Sequence, residues 1–429
     1  MSASVSVPAL APDPGVPGRD VLLDDAAMAE RLARLMSFDG PLPIDRYGRG
    51  RVKYRVGDSL RVVHELQIGG APWLVASRTF AGRSRDVYES ALRGAAEAGP
   101  LRVVAHDPEL EAVFWTFPND RKIGSLRALA PSTETASRLL GRPVARTVLA
   151  AYAPEKSATA ACLDGSGTPI AYAKVFASAE EAAASRRAHE ALYGEIGSIH
   201  SAVRVPAVLA WSPDERMLVV EAMRGRRIDT LFGPDLVHAM RRFGAALACL
   251  HSVPVPGGLP AFGRLDPARQ RAAADTIGRT RPDVAAAAER LAGDLAAEAP
   301  RGEAPVCLHG DVHLKNGLID GRRVALIDLD QAGLGQAAAD LASVLASLRY
   351  RALVTDERAR GEKLRAALLD GYGSLRELPD PATLRWHVAA ALLTERALRA
   401  VSRVRPGGLM HLGAVLNDAR AVLRGEASR

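Results

Sequence analysis

The chain has 429 residues, 48% apolar and 24% charged, with a net charge of +7. That length accommodates more than one domain with sizeable cores, and no run approaches the ~20 apolar residues a membrane span needs. The positive balance does not point to nucleic acid: the arginines are dispersed through helical patterns and aromatic residues make up only 5%, so a small anionic ligand accounts for it equally well. The amino terminus lacks the basic patch and apolar core of a secretion signal, so a cytoplasmic location is expected. Cys162, Cys249 and Cys307 have no metal-ligand spacing and lie among apolar neighbours, as small buried hydrophobes do.

Residues 1–22, proline-rich and without periodicity, read as a disordered tail. Asp24 to Met36 has helical apolar spacing. Val52 to Phe80 then reads as three strands, and Val148 to Ala177 has the same layout. Further on, Val103 to Glu109 followed by Val113 to Phe117 parallels Val208 to Glu215 followed by Leu218 to Met223. The pattern implies an internal duplication of a β-rich unit, with a first module over 23–130 and a second over 131–225. The second carries Lys174 on its third strand and Glu190 sixteen residues later, in a helical run from Glu180 to Gly194. The first has Arg78 and Gly94 at those spacings, so it reads as a degenerate copy that packs on the working one or helps to bind a substrate or partner.

Residues 226–429 read as mostly helical, interrupted once. Helices are expected over Asp235–His251, Pro267–Ala299, Glu357–Gly371, Pro381–Val401 and Leu409–Arg424, with the Ala-rich stretch from Pro267 covering a cleft. The interruption is a short apolar run, Val306–Leu308, delivering His309-Gly310-Asp311 to a strand end, with Asn316 five residues later. Two β-rich runs joined at Asp320-Gly321 follow and end at Asp328. Phosphoryl transfer needs one carboxylate beside the attacking hydroxyl, and an amide plus a carboxylate to hold Mg²⁺. Asp311, Asn316 and Asp328 supply that set in order.

His309-Gly310-Asp311-Val312-His313-Leu314-Lys315-Asn316, the hairpin to Ile327-Asp328, and Asp340-Leu341-Ala342 together resemble the aminoglycoside phosphotransferase and choline kinase-like family. The resemblance implies an α+β, bilobal protein kinase-like fold with a β-rich amino lobe and an α-rich carboxy lobe, here preceded by the degenerate module. It also implies ATP, or GTP, with Mg²⁺ as cofactors. Asp311 would accept the proton of the acceptor hydroxyl or orient it, while Asn316, Asp328 and Asp330 would form the metal site. Lys174 would hold phosphates, with Glu190 fixing its rotamer, and Lys315 and His313 lie within sequence reach of the γ-phosphate. Glu221-Ala222-Met223 resembles the hinge whose backbone meets the adenine, with Glu221 and Met223 as its members. His309 is expected to brace the loop, and Asp340 to cap backbone amides beneath it. The turn Ala153-Pro154-Glu155-Lys156-Ser157 departs from a Gly-rich phosphate loop.

The acceptor is read from charge. Residues 381–429 hold eight arginines against Glu395, Asp418 and Glu426, which opposes a polycationic aminoglycoside and favours a neutral or anionic hydroxyl compound such as a sugar or metabolite. Two other readings are an antibiotic phosphotransferase, distinguished by an acidic cleft, and a non-catalytic pseudokinase, which the intact Lys174, Asp311, Asn316 and Asp328 oppose. The preceding module loosely resembles the sugar-kinase branches of the family, such as maltokinase.

Overall fold

The computed structural model describes residues 9–426 apart from 97–98, 200–201, 263–265, 302–303 and 356. The chain opens with α1 (Arg19–Leu22) and α2 (Asp25–Leu35), the latter started by Asp24, whose carboxylate accepts from the amides of Ala26 and Ala27. A first sheet follows, with β1 (Ile44–Arg55), β2 (Ser59–Ile68), β3 (Ala71–Thr79), then α3 (Ser84–Arg93), β4 (Val104–Asp107) and β5 (Ala112–Thr116). The short α4 (Leu126–Leu129) and α5 (Glu134–Leu140) lead to a second sheet of β6 (Arg146–Ala153), β7 (Ser157–Leu163) and β8 (Pro169–Phe176). After α6 (Ala179–Ile199) and the two-residue β9 (Val203–Arg204), it is completed by β10 (Val208–Ser212) and β11 (Met217–Glu221).

Both sheets are antiparallel and have one topology, β1-β2-β3-β5-β4 and β6-β7-β8-β11-β10, each with a helix after its third strand. The sheets pack against each other through one core. Val63, Ala76, Val113 and Trp115 from the first meet Ala158, Ala160, Cys162, Ala173 and Val219 from the second. The alternate residues of the first sheet, Tyr54, Leu60, Val62, Val75 and Phe114, turn the other way onto Met28, Leu32 and Met36 around α2. The pleat therefore sends successive side chains into two different cores, and β5 is buried throughout.

The carboxy lobe begins with β12 (Arg226–Arg227) and α7 (Gly233–Leu250). The Ala-rich stretch is two helices, α8 (Pro267–Thr280) and α9 (Ala285–Ala297), separated at Pro282, where a ring without an amide hydrogen ends the ladder. They pack on each other and on the last helices of the chain. β13 (Val306–Leu308), the hairpin β14 (Gly317–Asp320) and β15 (Arg323–Leu326), and β16 (Gly333–Gly335) hold the catalytic-type loops; the hairpin turns at Gly321 with φ 56°. α10 (Ala338–Thr355), α11 (Arg358–Gly373), α12 (Pro381–Ala391), a π-helical segment over Leu392–Ala397, α13 (Leu398–Ser402), α14 (Pro406–Met410) and α15 (Leu412–Leu423) complete it around one large core.

Two expectations are corrected here. The first strand begins at Ile44, well before Val52, because the polar Asp45-Arg46 and the glycines near 50 pair as the edge of a sheet. Residues 9–22 are no loose tail; residues 1–8 lie outside the described set. Val16 and Leu22 are buried, Asp13 accepts from the Tyr54 hydroxyl and the Gly57 amide, and the Ala11 amide donates to Thr280 in α8. Local composition signalled disorder, and tertiary hydrogen bonds to β1 and α8 overrode it. The three cysteines are free and buried, and no helix among the described residues is long and apolar enough to cross a membrane.

Candidate active site

The loop after β13 is held from below. Asp340, on the first turn of α10, accepts from the His309 amide at 2.7 Å and the Gly310 amide at 3.0 Å, and His251 Nε2 lies 3.2 Å from the same carboxylate. Asp340 is fully buried; burial works against its charge, but the His251 contact, the charges of His251 and His309 and the backbone amide hold it below the usual carboxylate range. His309 Nε2 donates to the Ile327 carbonyl at 2.9 Å, and its Nδ1 faces the Asp311 amide at 3.4 Å. It therefore ties the loop to the strand end that carries Asp328, the bracing role its position suggested. Gly310 sits at φ 79°, and a Cβ there would meet the Gln331 carbonyl oxygen at 2.0 Å, which is why this position takes glycine.

Asp311 is one-quarter exposed and faces two basic side chains: His313 Nε2 at 3.1 Å and Arg399 of α13 at 3.4 Å, themselves 3.0 Å apart. Partial burial disfavours the carboxylate, yet the His313 hydrogen bond and charge, Arg399 and His309 together drive its pKa well down. The group is ionised across the physiological range. Arg399 is the residue sequence reasoning missed. It lies 88 positions from Asp311, and the only signal for it was the arginine excess of the last helices.

Asn316 is buried, and its amide nitrogen donates to the Asp311 carbonyl at 3.0 Å. That bond commits the NH₂ end and leaves the side-chain oxygen to face elsewhere. Asp328, in the left-handed conformation at φ 65°, presents a carboxylate that is 41% exposed. Lys174 of β8 crosses from the amino lobe to 3.2 Å from Asp328 Oδ1 and also pairs with Asp330, whose other oxygen accepts from Ser185 of α6 at 2.7 Å. Burial opposes the Lys174 ammonium, but Asp330 and then Asp328 outweigh it and raise its pKa; Lys174 in turn lowers that of Asp330 against desolvation. Asn316, Asp328 and Asp330 offer hard oxygen donors only, a set that suits Mg²⁺.

One expected contact is not formed. Glu190 does not reach Lys174: it is half-exposed and pairs with Arg186 one turn earlier, at 3.6 Å. The α6 residues turned towards the site are Ser185 and His189, four apart on one face, while Glu190 lies a further hundred degrees round the helix. Glu221 spends its amide on the Ala207 carbonyl and its carboxylate on Arg204 at 2.8 Å, and Met223 lies just beyond the end of β11. Lys315 is exposed on the turn after His313, without an ion-pair partner among the described residues.

The turn between β6 and β7 is held by the first sheet. Glu155, at φ 59° with a fully buried side chain, forms ion pairs with Arg61 at 2.9 Å, with Arg78 and with Arg121. Asp120, just past β5, accepts from the Glu155 amide at 2.7 Å and the Tyr152 hydroxyl at 2.8 Å, and Trp115 donates to that hydroxyl. Where bare glycine amides would shape a phosphate loop, this chain shapes the turn from outside.

Comparison with known proteins agrees with this architecture. The amicoumacin kinase hAmiN, in complex with AMP-PNP, Ca²⁺ and amicoumacin, is similar over 68% of this chain and 92% of its own, at 14% identity and a TM-score of 0.50. Aminoglycoside phosphotransferase APH(3'')-Id from Streptomyces rimosus covers 58% and 92% at 23% identity and 0.42, and a thermostable mutant of APH(4)-Ia covers 70% and 100% at 16% and 0.49. A search of curated protein sequences finds no match. The model of the phosphotransferase enzyme family matches residues 170–387, from the strand bearing Lys174 through both catalytic-type loops into α12. That is just over half of the chain, and the chain belongs to this family of phosphotransferases with a protein kinase-like fold.

Proposed function

We propose that the protein transfers the γ-phosphate of ATP to a hydroxyl group of a small molecule. The observation that carries this is the convergence, from one strand of the amino lobe and two loops of the carboxy lobe, of Lys174, Asp328, Asp330, Asn316 and Asp311 on one cleft. Asp328 and Asn316, with Asp330, would hold Mg²⁺, which when bound neutralises phosphate charge. Lys174 would serve the phosphate oxygens, with Asp330 and Ser185 fixing it in place of a helix glutamate. Met223 would meet the base edge through its backbone.

Asp311 has a depressed pKa and is therefore a weak base. In a loose phosphoryl transition state little proton removal is needed early, so a weakly basic carboxylate that orients the attacking hydroxyl suffices. The solved relatives named above include enzymes acting on aminoglycosides. Arg399 and His313 on Asp311 oppose a polycationic acceptor here.

The test is thermal denaturation with MgATP, MgGTP or no nucleotide. Binding to the native state alone raises stability by ~2.7 kcal/mol at a hundredfold excess over Kd. Wild type is expected to show a Mg²⁺-dependent shift, Asp328→Ala to lose it, and Asp311→Ala to keep it while losing turnover. No shift with either nucleotide would overturn the proposal and favour a non-catalytic role.

A further inference from the structure

The first module reaches the catalytic cleft through an edge strand. β1 alternates: Val52 and Tyr54 enter the core with α2, so Arg51, Lys53 and Arg55 stand on the opposite, exposed face. That strand packs against α13, the short helix that carries Arg399, and Val56 and Val404 join the cores of the two units beside it. Arg51 is close enough to Arg399 to feel its charge, Lys53 feels Arg403, Arg55, Arg51 and Arg399, and Arg403 feels Arg51, Arg399 and Arg405. The carboxylate that opposes this group at Arg403 is Asp311. Among the described residues Arg51, Lys53 and Arg403 have no ion-pair partner.

Cations that repel one another are held together at a cost, which an anion arriving between them removes. Burial first, and the neighbouring cations after it, bring the Arg403 pKa down to about 10 and lower those of Arg51 and Lys53, the direction expected of a charge set awaiting a counter-ion. Each guanidinium also offers a planar fork suited to a carboxylate or phosphate.

Resting on the phosphotransferase reading above, we propose that the acceptor is an anionic hydroxyl compound, a sugar acid or sugar phosphate. Its negative group is held by Arg51 and Lys53 of the first module together with Arg403, while its hydroxyl lies at Asp311. The module then serves as a wall of the acceptor pocket, and specificity for charge resides partly outside the family's usual two lobes. Losing two such charge-assisted contacts weakens binding by roughly a hundredfold or more.

The experiment is calorimetric binding of gluconate, glucose 6-phosphate and glucose to the full chain with Mg²⁺ and a non-hydrolysable ATP analogue, on wild type and Arg51→Gln/Lys53→Gln. Both substituted residues are exposed, and retention of the MgATP-induced thermal shift verifies that the variant is folded. Tighter binding of either anion than of glucose, by tenfold or more and lost in the variant, is the expected result. Gluconate alone or glucose 6-phosphate alone identifies which anion the pocket takes. Equal or tighter binding of glucose, or anion binding that the variant keeps, overturns the inference. The phosphotransferase reading fails separately, by absence of any nucleotide shift in wild type.

Discussion

Glu155→Gln tests whether the first sheet holds the β6–β7 turn. The substitution keeps the side-chain shape and one carbonyl acceptor but deletes the negative charge that pairs with Arg61, Arg78 and Arg121. Removing one partner of a buried ion pair leaves uncompensated charge and costs about 3–5 kcal/mol. The lower end applies here, because Arg121 is 25% exposed and water can reach it, while Arg61 and Arg78 are 14% and 10% exposed and are less easily hydrated. Against a typical total of ~5–15 kcal/mol that is a large fraction. Urea denaturation followed by near-ultraviolet circular dichroism, which reports the shared core containing Trp115, should show a clear fall in midpoint. A double-mutant cycle with Arg78→Ala should return a coupling energy of ~0.5–3 kcal/mol. A midpoint equal to wild type, or additive single effects, would show that the three arginines are merely adjacent to the turn and do not hold it.

Two further outcomes follow from the loop and the first core. Gly310→Ala places a side chain at φ 79° and against the Gln331 carbonyl; a stability loss of at least ~1–2 kcal/mol from the conformation alone is expected, with phosphotransfer lost more completely than nucleotide binding, measured by thermal shift and steady-state assay together. His64 is buried between the Tyr47 hydroxyl and Ser77 Oγ, and burial first, with Arg49 adding to it, lowers its pKa from 6.5 to about 3. Between those values the unfolded chain binds a proton that the folded chain does not, so stability falls as pH drops below about 6.5, by up to ~1.4 kcal/mol per unit. His64→Gln should flatten that part of the slope between pH 6 and 5; an unchanged slope would place the titration on another group, such as the buried His189.

The catalytic-type loop was legible because its chemistry is local. Asp311, Asn316 and Asp328 lie within eighteen residues, and the turn at Asp320-Gly321 sets their spacing through a hairpin whose register short-range rules specify. Asp340 was legible for the same reason, since a carboxylate on a first helical turn has backbone amides to serve. Glu190 was misplaced because spacing along a helix gives a face only once the phase is known, and Ser185 and His189 hold the phase that meets Asp330. Arg399 was invisible because its partner is 88 residues away and the π-helical segment before it shifts the phase of the last helices. The ordered segment 9–22 was missed because its structure is borrowed from Tyr54, Gly57 and Thr280 rather than from its own propensities.

The two third strands show how one layout takes on two tasks. Arg78-Thr79-Phe80-Ala81 and Lys174-Val175-Phe176-Ala177 end β3 and β8 alike, each cation lying over the ring two residues on, at 4.7 and 5.5 Å. From the second sheet the compact ammonium of Lys174 reaches Asp328 and Asp330 across the cleft. From the first, the broader fork of Arg78 reaches Glu155 at the turn of the neighbouring sheet. A lysine at 78 would present a single strongly hydrated charge where Glu155 is fully buried, and would satisfy fewer of its oxygen positions than a guanidinium can. An arginine at this position of the first sheet therefore fits a contact within the protein. The same sheet, through the other side of β1, brings Arg51 and Lys53 towards Arg399, the arginine that lies 3.4 Å from Asp311. The first sheet thus meets the rest of the chain at two places, through Arg78 at the β6–β7 turn and through β1 at α13.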